Sequence, residues 1–215
     1  IVFKKTDSDV VWFTPSPHMF SNLSKEKIDA LDYLILKTLY ISEGFKRLKF
    51  LNLNISNVVV DCYVPDTIKK IDRRFFQYRE IDNLSFPNTQ LAQINAGAFL
   101  GMKIGNKTLN INAKKIESDA FACMQASNTE ITIEGGFERN SFSLFQSAEF
   151  KKIDISGVKA EIIPRSTFEI AMTEQIVLPR TITTLEQRAF RKTCGKLFCF
   201  MIESENKNKE GELME

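Results

Sequence analysis

The chain has 215 residues, 43% of them hydrophobic and 26% charged, with 29 Lys and Arg against 27 Asp and Glu. That composition excludes wholesale disorder, and the near balance of charge removes the electrostatic reason to expect nucleic acid or an anionic membrane as partner. No apolar run approaches the roughly 18 residues of a membrane-spanning helix, so no membrane insertion is expected of this stretch.

Taken in chain order, the first element is a cap. The start "IVFKKTDSDVVWF" has no apolar region of signal-peptide type and leaves the compartment open. "SKEKIDALDYLILKTLY" puts Ile28, Leu31, Leu34, Ile35 and Leu39 on one helical stripe, with Ser24 as N-cap and Glu26 in the first turn. Residues 1–57 therefore read as an N-terminal helical capping region followed by an irregular first coil around Phe45 and Leu53.

A repeat then begins. "VPDTIKKIDRRFF", residues 64–76, returns as "LPRTITTLEQRAF", residues 178–190, with Pro, Thr, Ile, Arg and Phe at matching places. Phe is the compositional outlier, 18 copies against one Trp and four Tyr, and a series of six, one per repeat, each follow an apolar residue by five positions. The pairs are Ile71/Phe76, Ile94/Phe99, Ile116/Phe121, Phe137/Phe142, Ile163/Phe168 and Leu185/Phe190, the Phe residues stepping by 23, 22, 21, 26 and 22. The residue before Phe is small in most copies: Ala98, Ala120, Ser141, Thr167 and Ala189.

A second marker keeps the same beat. Short apolar-x-apolar units start at Cys62, Leu84, Leu109, Ile131, Ile153, Ile176 and Phe200, stepping by 22, 25, 22, 22, 23 and 24. Their alternation marks short strands with one buried face. Pro65, Pro87 and Pro179 directly follow such units, where a missing N–H ends a ladder and starts a turn. A unit of roughly 20–29 residues with one strand is the signature of a leucine-rich-repeat solenoid, in which each coil buries its apolar face on its neighbours. The six Phe are expected to stack as a spine, Phe121 and Phe142 among them.

The order apolar-x-apolar-Pro, then "TIKKI" or "TITTL", then small-Phe resembles the BspA-like leucine-rich repeat over about residues 58–203. The family's Cys three positions after Phe is not kept, and "EGG" shortens one turn at residues 134–136. The resemblance implies an arc-shaped binding scaffold of bacterial and protist surface proteins, with no catalytic residues to transfer and a cell-surface or extracellular location. The expected architecture is α/β: a leucine-rich-repeat solenoid with a curved parallel β-sheet on its concave side, short helical or irregular turns on its convex side, and the N-terminal helical cap. Residues 58–203 are the solenoid and residues 204–215 a charged C-terminal tail.

Sites of chemistry are sparse. Cys62, Cys123, Cys194 and Cys199 form no CxxC, and the single His18 cannot complete a Cys/His zinc site, so buried thiols are expected and no metal or cofactor. "GMKIGNKT", residues 101–108, approaches a phosphate-binding loop but is one residue short and runs into a strand, not a helix. Glu130, Glu134 and Asp154 fall on neighbouring strands, on a solvated face that offers little burial to raise a carboxyl pKa for acid catalysis. Sequons start at Asn22, Asn54, Asn83 and Asn106.

What remains is surface. Residues that flank the inward pair of each strand point to the concave face. One column runs Asp61, Asn83, Thr108, Glu130, Lys152, Gln175, Cys199; the other runs Tyr63, Ser85, Asn110, Thr132, Asp154, Val177, Met201. The expected function is a non-catalytic protein-protein interaction module, an adhesion or scaffold element, with Tyr63 at one end and Val177 and Met201 at the other as apolar anchors. The alternative is a structural or self-assembling surface layer, and an enzyme ranks behind both.

Overall fold

The computed structural model describes residues 36–40, 47–48, 58–86, 90–194 and 197–199. In chain order the strands are β1 (Leu36–Tyr40), β2 (Arg47–Leu48), β3 (Val58–Tyr63), β4 (Lys70–Ile71), β5 (Glu80–Ser85), β6 (Gln93–Ile94) and β7 (Lys103–Ile104). They continue as β8 (Thr108–Ile116), β9 (Gln125–Phe137), β10 (Glu149–Val158), β11 (Ile162–Ile163), β12 (Met172–Val177), β13 (Thr184–Leu185) and β14 (Leu197–Cys199). Every strand pairing is parallel, the expected consequence of one short unit returning to the same place each turn. Among the described residues there is no helix, and none long and apolar enough to cross a membrane.

Each coil makes three passes around a common core. The long pass stacks β1, β3, β5, β7 with the start of β8, β9, β10, β12 and β14 into one sheet. The short pass stacks β2, β4, β6 and the far ends of β8 and β9, while β11 and β13 form a separate pair. Side chains alternate on the long pass as predicted: Leu84, Leu109, Ile111, Ile131, Ile133, Ile153 and Ile176 are buried and the residues between them are not.

The third pass carries the Phe spine. Phe76, Phe99, Phe121, Phe145, Phe168 and Phe190 stack in sequence, their centroids 5.3, 5.4, 5.1, 5.6 and 5.0 Å apart. Phe145, not Phe142, therefore fills the fourth slot; Phe142 is 39% exposed, with the Arg165 guanidinium 5.5 Å from its ring. The cause is a three-residue insertion after β9: eight positions separate Phe137 from Phe145 where five separate Ile71 from Phe76. With Phe145 in place the spine steps by 23, 22, 24, 23 and 22, a more even beat than the sequence pairing suggested.

Around each spine Phe the backbone changes hand at two fixed positions. The residues two before and two after it have positive φ: Arg74 and Tyr78, Gly97 and Gly101, Asp119 and Cys123, Ser143 and Ser147, Ser166 and Ile170, Arg188 and Lys192. The N–H groups between these positions donate to carbonyls three residues back within the turn, and those of the spine Phe and most of its left-handed neighbours face the following coil. The latter donate to the next coil, Phe76 to the Ala98 carbonyl at 2.8 Å, Tyr78 to Leu100 at 2.9 Å and Phe121 to Leu144 at 3.0 Å. This third parallel ladder sustains a left-handed conformation that costs most non-glycine residues energy.

The coils turn their corners in two ways. Pro65 and Pro179 close tight turns through their carbonyls, accepting from Ile68 and Ile182. The central strands β8 and β9 have no such break and bend continuously, and here the "EGG" stretch matters. Gly135 has φ +107, and a Cβ there would lie 1.9 Å from the Ala113 carbonyl oxygen; no side chain fits so close an approach.

The N-terminal cap differs from its prediction. Leu39, the last residue of the helical stripe, lies in strand β1, which pairs with β3, and β2 pairs with β4. The strand ladder thus already includes segments assigned to the cap, because a parallel neighbour offers Leu36–Tyr40 a full set of backbone partners. Ser24, Glu26, Ile28, Leu31, Leu34, Ile35, Phe45, Leu53, His18, Asn22, Asn54, Pro87 and the tail 204–215 lie outside the described residues. Of the four thiols, Cys62 is buried as expected and desolvation pushes its pKa up to about 12, but Cys123 and Cys194 are exposed.

Candidate functional site

The outward face of the long sheet is where the predicted contact residues meet. Cross-strand register sets Asp61 beside Asn83, Thr108 beside Glu130, Glu130 beside Lys152 and Lys152 beside Gln175. The parallel column aligns Tyr63 with Ser85, Asn110 with Thr132, Thr132 with Asp154 and Asp154 with Val177. All are exposed or half-buried. At the C-terminal end the register corrects the prediction: Ile176 pairs with Phe198, so the last described strand unit starts at Phe198 and not at Phe200. Val177 consequently aligns with Cys199, which moves from the first column to the second, and Met201 lies outside the described residues.

The charges on this face neutralise one another locally. Lys151 Nζ donates to Glu130 Oε1 at 2.7 Å, Lys103 Nζ to Glu80 at 2.7 Å, and Lys152 pairs with Asp154 at 3.0 Å. The Lys151 hydrogen bond and charge hold the Glu130 carboxyl below its ordinary range. Burial pushes Asp154 upward, but hydrogen bonds from the Ser156 hydroxyl and amide, with Lys152, outweigh it and leave the carboxyl below its usual value. Exposed pairs of this kind add little to stability, so their effect is on the character of the surface. Glu134 accepts from Asn112, so the three carboxylates weighed for acid catalysis each have a neutralising or hydrogen-bonding partner.

The centre of the sheet departs from the flanks. Three residues separate Ile81 from Leu84, but five separate Ile104 from Leu109 and Ala126 from Ile131. The extra residues bulge, and the phosphate-loop-like "GNKT" is one of these bulges. Asn106 within it replaces a strand partner with its side chain: its Oδ1 accepts from the Leu84 N–H at 2.7 Å and its Nδ2 donates to the Leu84 carbonyl at 2.9 Å. Its carbonyl accepts from the buried Thr129 hydroxyl of the next bulge. The motif is thus a stacking device between coils, with both atoms of its amide committed.

The bulges leave a recess of about 530 Å³ in the sheet face. Leu84, Leu109, Ile111 and Phe86 border it, the first three with side chains buried in the core, while Ser85, Asn106, Thr108, Asn110, Asn112, Thr132 and Glu134 supply its polar lining. Among the described residues no group of three or more His, Cys, Asp and Glu side chains is placed to hold a metal. Sequence reasoning had named Ser85, Asn110 and Thr132 but not the recess. The long step to the third strand unit, 25 residues against 22 to 24 for the others, was its one visible signal.

The model of the BspA-type leucine-rich repeat region matches the chain in six copies, over residues 46–136 and 93–211. The protein belongs to this family. Its parallel ladders and stacked Phe are the structural form of that repeat. No curated protein and no solved structure matches the chain.

Proposed function

We propose that the outward face of the long sheet is a protein-binding surface and that the chain serves as a non-catalytic adhesion or scaffold module, acting at a cell surface. The observation that carries this reading is the row of unburied side chains from Tyr63 to Val177 on one parallel sheet, held in cross-strand register on either side of the central bulges. Such a face offers many positions at fixed spacing without any catalytic constellation. Tyr63, 42% exposed at one end, and Val177 at the other supply the apolar and aromatic character typical of hot spots, and Lys152, Asp154 and Gln175 supply polar contacts between them. The test is retention of a partner by the immobilised chain, compared with a variant carrying Tyr63→Ala, Glu130→Ala and Asp154→Ala together. Loss of the partner is expected, and undiminished retention moves the site off this face.

A second reading, end-to-end self-association, has its own observation. In the last short strand among the described residues Leu185 is 54% exposed, although its equivalents Ile71, Ile94, Ile116 and Ile163 are wholly buried. An edge strand with an exposed apolar residue is a template for further pairing. Sedimentation that depends on protein concentration, and that Leu185→Lys abolishes, is the outcome this reading requires.

A further inference from the structure

The recess at the centre of the sheet has a definite chemistry, and we propose that it binds an uncharged, hydroxyl-rich ligand, an oligosaccharide. The proposal rests on the reading of the outward face as the binding face and names what its middle recognises. Its volume, about 530 Å³, falls within the roughly 300–1,000 Å³ of small-molecule sites.

The polar lining divides into groups already committed and groups still open. Asn106 is bonded through both amide atoms to Leu84, and Asn112 accepts from Gln90 at 2.8 Å while donating to Glu134 at 3.1 Å. The side chains of Ser85, Thr108, Asn110 and Thr132 make no hydrogen bond among the described residues. These four are three hydroxyls and one amide, each able both to donate and to accept. Sugar hydroxyls have the same dual capacity, so a ring can satisfy such a set in either sense at each position.

Charge argues the same way. Among the described residues Glu134 is the one charged residue lining the recess, and one of its oxygens already accepts from Asn112. An anionic ligand would meet a carboxylate with no cation lining the site to offset it. The nearby Lys151 and Lys152 are drawn to Glu130 and Asp154.

The experiment is an amide NMR titration of the whole chain with maltotriose, chitotriose and mannotriose, each raised to millimolar concentration. At least one trisaccharide is expected to shift the amides of Asn110 and Thr132 in a saturable manner. Asn110→Ala and Thr132→Val, both surface changes, should each weaken that binding about tenfold, the loss of about one hydrogen bond. Added salt should leave the affinity within about twofold, because no ion pair is formed. No shift with any of the three overturns the proposal, as does binding confined to a sulfated oligosaccharide and abolished by salt. A neutral Gly-Ser peptide that saturates the same amides more tightly than every sugar assigns the recess to peptide and also overturns it. If the sugars fail while the Tyr63, Glu130 and Asp154 variant still loses its protein partner, only the recess proposal falls.

Discussion

The two copies of one phrase, residues 64–76 and 178–190, share five residues and meet very different fates. In the first, Ile68 and Ile71 are wholly buried and Phe76 nearly so; in the last, Leu185 is 54% exposed and Phe190 only half-buried. The Tyr78 N–H just beyond the first copy donates to Leu100, whereas the equivalent Lys192 N–H has no backbone acceptor among the described residues. The same side chain in the same conformation is therefore stabilising in proportion to the coil that covers it. A repeat motif encodes a slot, and its neighbours determine how much apolar area leaves water there.

The sharpest way to break this comparison is at the spine. Phe121→Ala and Phe145→Ala each remove a wholly buried ring stacked between two others, and each is expected to cost about 3–5 kcal/mol in denaturant unfolding. Phe142→Ala, on the exposed ring that the motif alone had put in the spine, should cost within about 1 kcal/mol. Equal losses at Phe142 and Phe145 would return Phe142 to the core and sink the slot assignment.

The next test compares the two copies directly. Ile71→Ala empties a covered slot and is expected to cost about 2–5 kcal/mol, while Leu185→Ala should cost less than about 1 kcal/mol. A large loss at Leu185 would show that another segment covers the last coil.

How much of this was legible follows from what each feature depends on. The period, the inward strand residues and five of the six spine Phe could be read because burial repeats the same residue type at the same interval. Phe142 misled because it stands five positions after Phe137, the right local spacing, while the inserted Glu138–Asn140 stretch moves the true slot to Phe145. Even spacing along the whole spine was the better signal. The left-handed residues were largely hidden: Gly97 and Gly101 fit the expected chemistry, but Tyr78, Cys123 and Ile170 adopt that conformation under the demands of hydrogen bonds between coils. Strand β1 was hidden for a similar reason, since a helical stripe in sequence cannot register that a parallel partner stands alongside. At the candidate site, the outward columns followed from alternation, but the recess depended on the bulges and on Asn106 bonding across to Leu84.

The smallest expected effect is a pH response confined to the less covered copy. Glu169 ties the penultimate coil to the last, accepting from Arg191 Nη1 at 3.0 Å. A Ser166 hydrogen bond and the Arg191 guanidinium, working against desolvation, hold its carboxyl below the ordinary range. For a depressed carboxyl the linkage has one sign: the stabilisation is complete above the unfolded pKa of about 4.3 and is lost as pH falls through the lower folded value. Acid should therefore loosen the last described coil while the first copy, with Ile68, Ile71 and Phe76 buried, stays closed. Hydrogen exchange corrected for intrinsic rates reads this directly. Below the carboxylate range, the amides of Thr193 and Cys194, which donate to Phe190 and Ala171, should lose protection before the Phe76 amide, which donates to Ala98. Glu169→Gln should abolish the pH dependence of that early loss. If both copies instead opened together at the same pH, the coils would share one cooperative transition, and the difference in burial between them would carry no difference in local stability.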